Sequence, residues 1–269
     1  MNDSNNSVLE VNNVCKNFFS GLVFTKQICA LENISFNVSK GEIVSLVGES
    51  GSGKSTVANI ILRLIKPTSG TVYLKNKEIE SYKKKKYYKN VQIVFQDPFG
   101  SYNLFHKVDR MLHLGFKLLN DYPPLEQRNK IIKEVFDKIG LRANELLGRY
   151  PHQLSGGQLQ RMLLARVLII KPEILVADEA TSMIDASSRA GVLNLLDFLA
   201  KEEGLGVIFI THDIGQAQYL SDRVLVMKRG QIVEQGDPMK VLVNPEEQYT
   251  KDLISSVPTM EDRWDFIKY

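Results

Sequence analysis

The sequence predicts an α/β fold in which short buried strands alternate with helices and a helical segment interrupts the alternation. Three observations predict it. The run 43-IVSLV-47 is continuously apolar and leads through a glycine loop into a helical pattern. Strand–helix units return at 174-ILVAD-178 with 188–202, and at 207-VIFIT-211 with 214–220. Between these, from about residue 97 to 167, helical spacing dominates. Apolar runs of strand length that alternate with helical patterns point to a parallel sheet covered on both faces.

Composition sets the outer limits. The 269 residues suffice for one large domain, and 43% hydrophobic with 24% charged residues is ordinary for a globular chain. A net charge of +3 gives no argument for nucleic acid. Cys15 and Cys29 form no metal-binding spacing and predict reduced, buried or inert thiols. The polar start MNDSNNSVLE predicts no signal peptide, and residues 1–7 predict a disordered tail. The longest apolar run, 162-MLLARVLII-170, is too short for a membrane span.

The elements follow in order. Residues 8–74 carry strand signals such as the alternating 31-LENISFNV-38. The pattern 55-STVANIILRL-64 predicts a helix that ends before the Lys66–Pro67 pair. The basic run 83-KKKKYYK-89 predicts a solvated helix face ahead of strand 91-VQIVF-95. Within the insertion, 126–141 places Ile131, Ile132, Val135, Phe136 and Ile139 on one helical face. After the third strand–helix unit, 224-VLVMK-228 and 231-QIVEQ-235 predict a hairpin, and residues 236–269 a short helical appendage.

The chemistry lies in the connections. Residues 48–56, GESGSGKST, fit G-x-x-x-x-G-K-[ST] between a strand and a helix. Glycines in such a loop let backbone N–H groups surround phosphates. The stretch Gly48, Glu49, Ser50, Gly51, Ser52, Gly53, Lys54, Ser55 and Thr56 is therefore the candidate phosphate cradle, with Ser55 offering a hydroxyl to Mg²⁺. Asp178 ends an apolar strand and is the candidate Mg²⁺ partner; Glu179 is the candidate group to orient and polarise a water. His212 follows another core strand, where it can meet a γ-phosphate; His106, His113 and His152 carry no such argument.

Residues 154-LSGGQ-158 read first as a helix start. Ser155 and Gln158 form a capping box, with Leu154 and Leu159 as its hydrophobic staple. Gly156 and Gly157 weaken that first turn, so the expectation is that something approaches the backbone there.

Taken in order, GESGSGKS, Gln96 in 95-FQDP-98, LSGGQ, LVADE, 182-SMID-185 and His212 resemble the ATP-binding cassette (ABC) family over nearly the whole chain. The resemblance implies a P-loop NTPase (RecA-like) core over residues 8–235, with a helical subdomain inserted at about 97–167 and a small N-terminal antiparallel β-subdomain. It implies that Phe18, in 16-KNFF-19, stacks on adenine where most members carry tyrosine, with Phe19 as a substitute. It implies that Gln96 contacts Mg²⁺ or the lytic water and senses a membrane partner. Ser155, Gly156, Gly157, Gln158 and Asp185 then face the nucleotide of a second subunit. SMID stands where members usually read SALD.

The motifs 95-FQDPFGSYN-103, 151-PHQLSGGQ-158 and 244-NPEEQYTKDLISSVP-258 resemble the second ATPase of oligopeptide/dipeptide importers, although 245-PEEQYT-250 lacks the His and Pro usual there. That resemblance implies ATP and Mg²⁺ as ligands and a paralogous ATPase as partner in a heterodimer. It further implies two transmembrane permeases, an extracytoplasmic binding protein acting indirectly, no nucleic acid, and a peripheral place on the cytoplasmic face of the membrane. Related importers carry nickel, metallophores or oligosaccharides. From the residues alone, a soluble ABC protein acting on ribosomes or nucleic acid, a P-loop kinase and a non-hydrolysing regulatory cassette stay open.

Overall fold

The computed structural model describes residues 7–20 and 26–256. The predicted tail at 1–6 and the end of the appendage at 257–269 lie outside the described residues, and Ser7 already belongs to a strand. The elements run β1 (Ser7–Ser20), β2 (Lys26–Ser39), β3 (Ile43–Val47), α1 (Lys54–Ile61), β4 (Ser69–Leu74), β5 (Lys77–Glu78), α2 (Lys84–Asn90) and β6 (Val91–Val94). The helical stretch follows as α3 (Asp109–Gly115), α4 (Leu125–Lys138), α5 (Ala143–Leu146) and α6 (Gly156–Ile170). The alternation then resumes with β7 (Ile174–Asp178), α7 (Ala186–Lys201), β8 (Gly206–Ile210), α8 (Ile214–Leu220), β9 (Arg223–Lys228) and β10 (Gln231–Gly236), closed by α9 (Pro238–Val241) and α10 (Gln248–Ser255).

The apolar runs become the parallel core. A six-stranded sheet has the order β10-β9-β3-β8-β7-β6, parallel except for the β9–β10 hairpin. Both of its faces are covered, which is why its strands are not alternating. On one face Leu175, Ala177, Val207 and Phe209 pack against α6 and α7. On the other, Val176, Ile208 and Ile210 join Val57, Ala58 and Ile61 of α1 and Leu31 and Ile34 of β2. Phe209 is fully buried, and a side chain of that size contributes about 1.5–3 kcal/mol on leaving water.

A second, antiparallel sheet has the order β2-β1-β4-β5. It is the small N-terminal antiparallel subdomain that the resemblance implies, and the alternating 31–38 lies in β2; bulges, for example between Val11 and Val14, break the alternation along β1. Helix α1 also ends earlier than the pattern 55–64 predicts. Arg63 turns left-handed (φ 56) and Leu64 N–H donates to Asn59 O at 2.9 Å. Arg63 is held in that turn by Tyr82 O at 3.0 Å, by Glu80 at 3.3 Å and by the Tyr87 ring, 5.0 Å from its guanidinium. The basic run does form a helix, α2, whose buried Tyr87 donates its hydroxyl hydrogen to Ile61 O. Both cysteines are free; Cys29 is exposed rather than buried. No described helix is long and apolar enough to cross a membrane.

Candidate active site at the carboxyl ends of the parallel strands

Register aligns the candidate residues on one rim. Leu46 pairs with Ile210, Ile210 with Asp178, and Ala177 with Val94. The segments that leave the sheet just beyond that row carry Gly48, His212, Glu179 and Gln96. Ligands of open α/β sheets bind at such carboxyl ends.

The loop between β3 and α1 is built on glycine where nothing else fits. Gly48 has φ 144, and a Cβ there would lie 2.2 Å from Met227 O. Gly53 has φ 111, and its Cβ would lie 2.8 Å from Leu31 Cδ2 and 2.9 Å from Ala30 O. No side chain caps α1, so the amides of its first turn remain available as donors to an anion. Lys54 is buried, and its ammonium donates to Gly48 O (2.7 Å), Glu49 O (2.8 Å) and Ser52 Oγ (3.3 Å). Burial lowers its pKa, and the carboxylates of Glu179, Asp178 and Glu49 oppose that shift. Glu49 N–H in turn donates to the Tyr249 hydroxyl at 3.2 Å.

A cleft of about 260 Å³ brings Ser50, Gly51 and Gly53–Thr56 together with Glu179, His212 and Ala30. Glu179 takes a left-handed backbone (φ 48), with its N–H on Ile210 O at 2.9 Å. Its carbonyl accepts from Ser182 N–H (3.0 Å) and Ser182 Oγ (2.9 Å). That turn sets Glu179 Oε1 3.3 Å from His212 Nδ1. Asp178 is half-buried; burial raises its pKa first, Glu179 raises it further, and Lys54 pulls it down. The arrangement offers amide donors and an ammonium beside two carboxylates, the equipment for phosphoryl transfer.

Other predicted residues lie outside that cleft. Gln96 is exposed just past β6. Phe18 sits on β1, partly exposed, with Lys16 Nζ 5.0 Å from its ring; Ala30 of the paired strand lines the cleft instead. Ser155, Gly156, Gly157, Gln158 and Asp185 form a second cluster, at the adjoining starts of α6 and α7. The capping box is present: Gln158 N–H donates to Ser155 Oγ (3.2 Å) and Ser155 N–H to Gln158 Oε1 (2.9 Å). Leu154 and Leu159 beside it are buried. Asp185 caps α7, and hydrogen bonds from Ser187 and Ser188 bring its pKa down to about 2.

The two glycines there differ. A Cβ on Gly157 would lie 2.5 Å from Ser188 Cβ, so α7 of the same chain already requires that glycine. A Cβ on Gly156 would meet Met183 O at 3.3 Å and Ile184 Cγ2 at 3.4 Å, which is tight but passable. The expectation that an outside group dictates both glycines is corrected for Gly157. The bulkier middle of SMID divides: Ile184 is buried, and Met183 projects to solvent.

A family model for ABC transporters matches residues 31–182. The chain belongs to the ABC transporter family. As an ABC-type ATPase it carries the α/β P-loop fold that its sequence predicts. It is 39% identical over 265 residues to the oligopeptide transport ATP-binding protein AppF of Bacillus subtilis (strain 168), covering 96% of this chain and 80% of that one. It is 38% identical over 244 residues to the dipeptide transport ATP-binding protein DppF of Escherichia coli (strain K12), covering 89% and 72%. Among solved structures, the ATP-binding cassette MJ0796, a dimer in a post-hydrolysis state bound to ADP and Pi, is 32% identical with a TM-score of 0.75, over 86% of this chain and 98% of that one. Sequence reasoning missed Ala30 and Tyr249, which belong to no motif and reach the loop only through the fold.

Proposed function

We propose that the chain is the ATP-hydrolysing subunit of an ABC importer for oligopeptides or dipeptides, peripheral to the cytoplasmic face of the membrane. The observation that carries this reading is the cleft in which Lys54, the uncapped start of α1, Glu179 and His212 converge. The peptide-transport relatives that match along 96% and 89% of the chain supply the class of cargo. Residues 8–235 form the cassette, about 97–167 its helical insertion, and 236–269 the appendage.

In this reading the backbone of Gly48–Thr56 and the Lys54 ammonium bind the phosphates of ATP, and Phe18 stacks on adenine. The Glu179 carboxylate accepts a proton from the water that attacks the γ-phosphorus, as the bond to the β–γ bridging oxygen breaks. His212, 3.3 Å from Glu179, orients that carboxylate and donates to the γ-phosphate. Among the described residues no three His, Cys, Asp or Glu cluster to hold a metal. Mg²⁺ needs no such cage, because it takes one or two protein oxygens with the phosphates. The exposed Ser55 hydroxyl, the Asp178 carboxylate at the strand end and the exposed Gln96 amide fit that pattern. When bound, the ion neutralises developing phosphate charge. Ser155–Gln158 and Asp185, outside the chain's own cleft, serve the nucleotide of a paralogous partner ATPase. The assembly also contains two permeases and, indirectly, an extracytoplasmic binding protein, with no nucleic acid.

The test is Glu179→Gln in the assembled transporter. Loss of a general base lowers turnover by about 10²–10⁴-fold, while ATP is still bound and the dimer stays closed. Near-normal hydrolysis would remove Glu179 from that role.

A further inference from the structure

The appendage reaches the phosphate loop. Tyr249, in the first turn of α10, lies 200 positions from Glu49, yet its hydroxyl accepts the Glu49 N–H at 3.2 Å. That N–H and the Gly48 carbonyl belong to one planar trans peptide, so they point in opposite directions. The Gly48 carbonyl accepts from Lys54 Nζ at 2.7 Å. One peptide plane is therefore held at both ends, by the Lys54 ammonium and by the Tyr249 hydroxyl. Its surroundings are firm on the other sides. Met227 O lies 2.2 Å from where a Gly48 Cβ would be, and Lys228 Nζ lies 4.5 Å from the centre of the Tyr249 ring.

The ring itself is fixed. Tyr249 is buried and packs with Val47, Ile214, Val226 and Val241. The chain entering α10 is tied down by Glu234 of β10, whose carboxylate accepts Glu246 N–H (2.9 Å) and Glu247 N–H (3.4 Å). A phenol held this way presents its oxygen at a defined point with little rotamer freedom to lose.

We propose that Tyr249 is a positioning residue for the phosphate-binding loop: its hydroxyl fixes the Gly48–Glu49 peptide plane, and with it Lys54, in the shape that receives a nucleoside triphosphate. The proposal rests on the nucleotide site proposed above. A loop already ordered by α10 spends less of its binding energy on ordering itself. The hydroxyl acts on affinity and not on the attacking water: Glu179 and His212 line the cleft, and Tyr249 does not.

The experiment measures MgATP affinity and turnover of the full chain in its assembled complex for wild type, Tyr249→Phe, Thr250→Val and Lys54→Ala. Tyr249→Phe keeps the ring and deletes one acceptor, so its MgATP Kd rises by about 2- to 10-fold, the range of one neutral hydrogen bond. Its kcat at saturating ATP stays at the wild-type value, and its nucleotide-free melting temperature falls by no more than the few degrees that one such hydrogen bond is worth. Thr250→Val is the control on the same helix, because the Thr250 hydroxyl is buried without a partner; its Kd is unchanged. An unchanged Kd in Tyr249→Phe, or an equal rise in Thr250→Val, overturns the proposal while Lys54→Ala still loses binding. Absence of MgATP binding by wild type overturns the nucleotide site itself.

Discussion

Replacing Gly157 with alanine places a methyl group 2.5 Å from Ser188 Cβ and 2.6 Å from Ser188 Oγ. Neither distance is tolerable for unbonded atoms, so α6 and α7 must separate or Ser188 must move. Ser188 is poorly placed to move, because its amide donates to the Asp185 cap at 2.9 Å. Overpacking of this kind costs about 1–3 kcal/mol. Alanine returns up to about 1 kcal/mol over glycine through helix propensity, and with that full return the net loss is roughly 0–2 kcal/mol. At Gly156 the nearest atoms are at 3.3 and 3.4 Å, so the two terms nearly cancel. The assay is urea unfolding of the nucleotide-free protein for both single variants, Ser188→Gly and the Gly157→Ala/Ser188→Gly pair. The propensity gain cancels in the cycle, so a coupling of about 1–3 kcal/mol, the overpacking cost itself, is expected between positions 157 and 188. Gly156→Ala, as stable as wild type, then reports the partner site cleanly: hydrolysis falls in the assembled dimer while ATP binding at Lys54 is retained. Zero coupling between 157 and 188 would refute the argument that α7 dictates Gly157.

Two more perturbations test the cleft. The folded chain holds the Asp178 proton more tightly than the unfolded chain, so this group's contribution to stability falls as pH rises from 3.8 through its raised folded pKa. At neutral pH, Asp178→Asn therefore raises the nucleotide-free melting temperature, by roughly 2–4 °C per kcal/mol relieved, and abolishes turnover; the gain shrinks as pH is lowered toward 4, and a lower melting temperature at pH 7 would contradict it. Gly53→Ala combines a left-handed backbone with a clash against Leu31 and Ala30. It lowers stability by about 2–4 kcal/mol, read as a shift of the urea midpoint at constant m-value.

The parallel core was legible because its strands are buried on both faces, and 43–47, 174–178 and 224–228 leave no competing helical period. The phosphate loop was legible because its chemistry is local: nine consecutive residues carry it. Relations between distant segments were not. Gly157 and Ser188 are neighbours only because α6 and α7 start side by side, and Tyr249 meets Glu49 only after β4 through β10 have intervened. In the N-terminal hairpin the alternating 31–38 was legible, while the extent of β1 was not, because its bulges shift the side-chain alternation that marks a strand. The end of α1 escaped because it is set by Arg63 and its contacts with Tyr82, Glu80 and Tyr87, not by the proline downstream.

The backbone of Glu179 carries a further consequence. At φ 48 it occupies a region that disfavours any residue with a Cβ, by about 1–2 kcal/mol. Glycine would sit there more comfortably, yet glycine would leave His212 facing no carboxylate. The fold thus tolerates a small, standing loss of stability at one joint so that an acidic group can lean across the mouth of the cleft. Selection for thermal robustness alone would favour glycine at that joint. In any search for hardier variants of this protein, position 179 is where a gain in melting temperature should be read as a warning about activity.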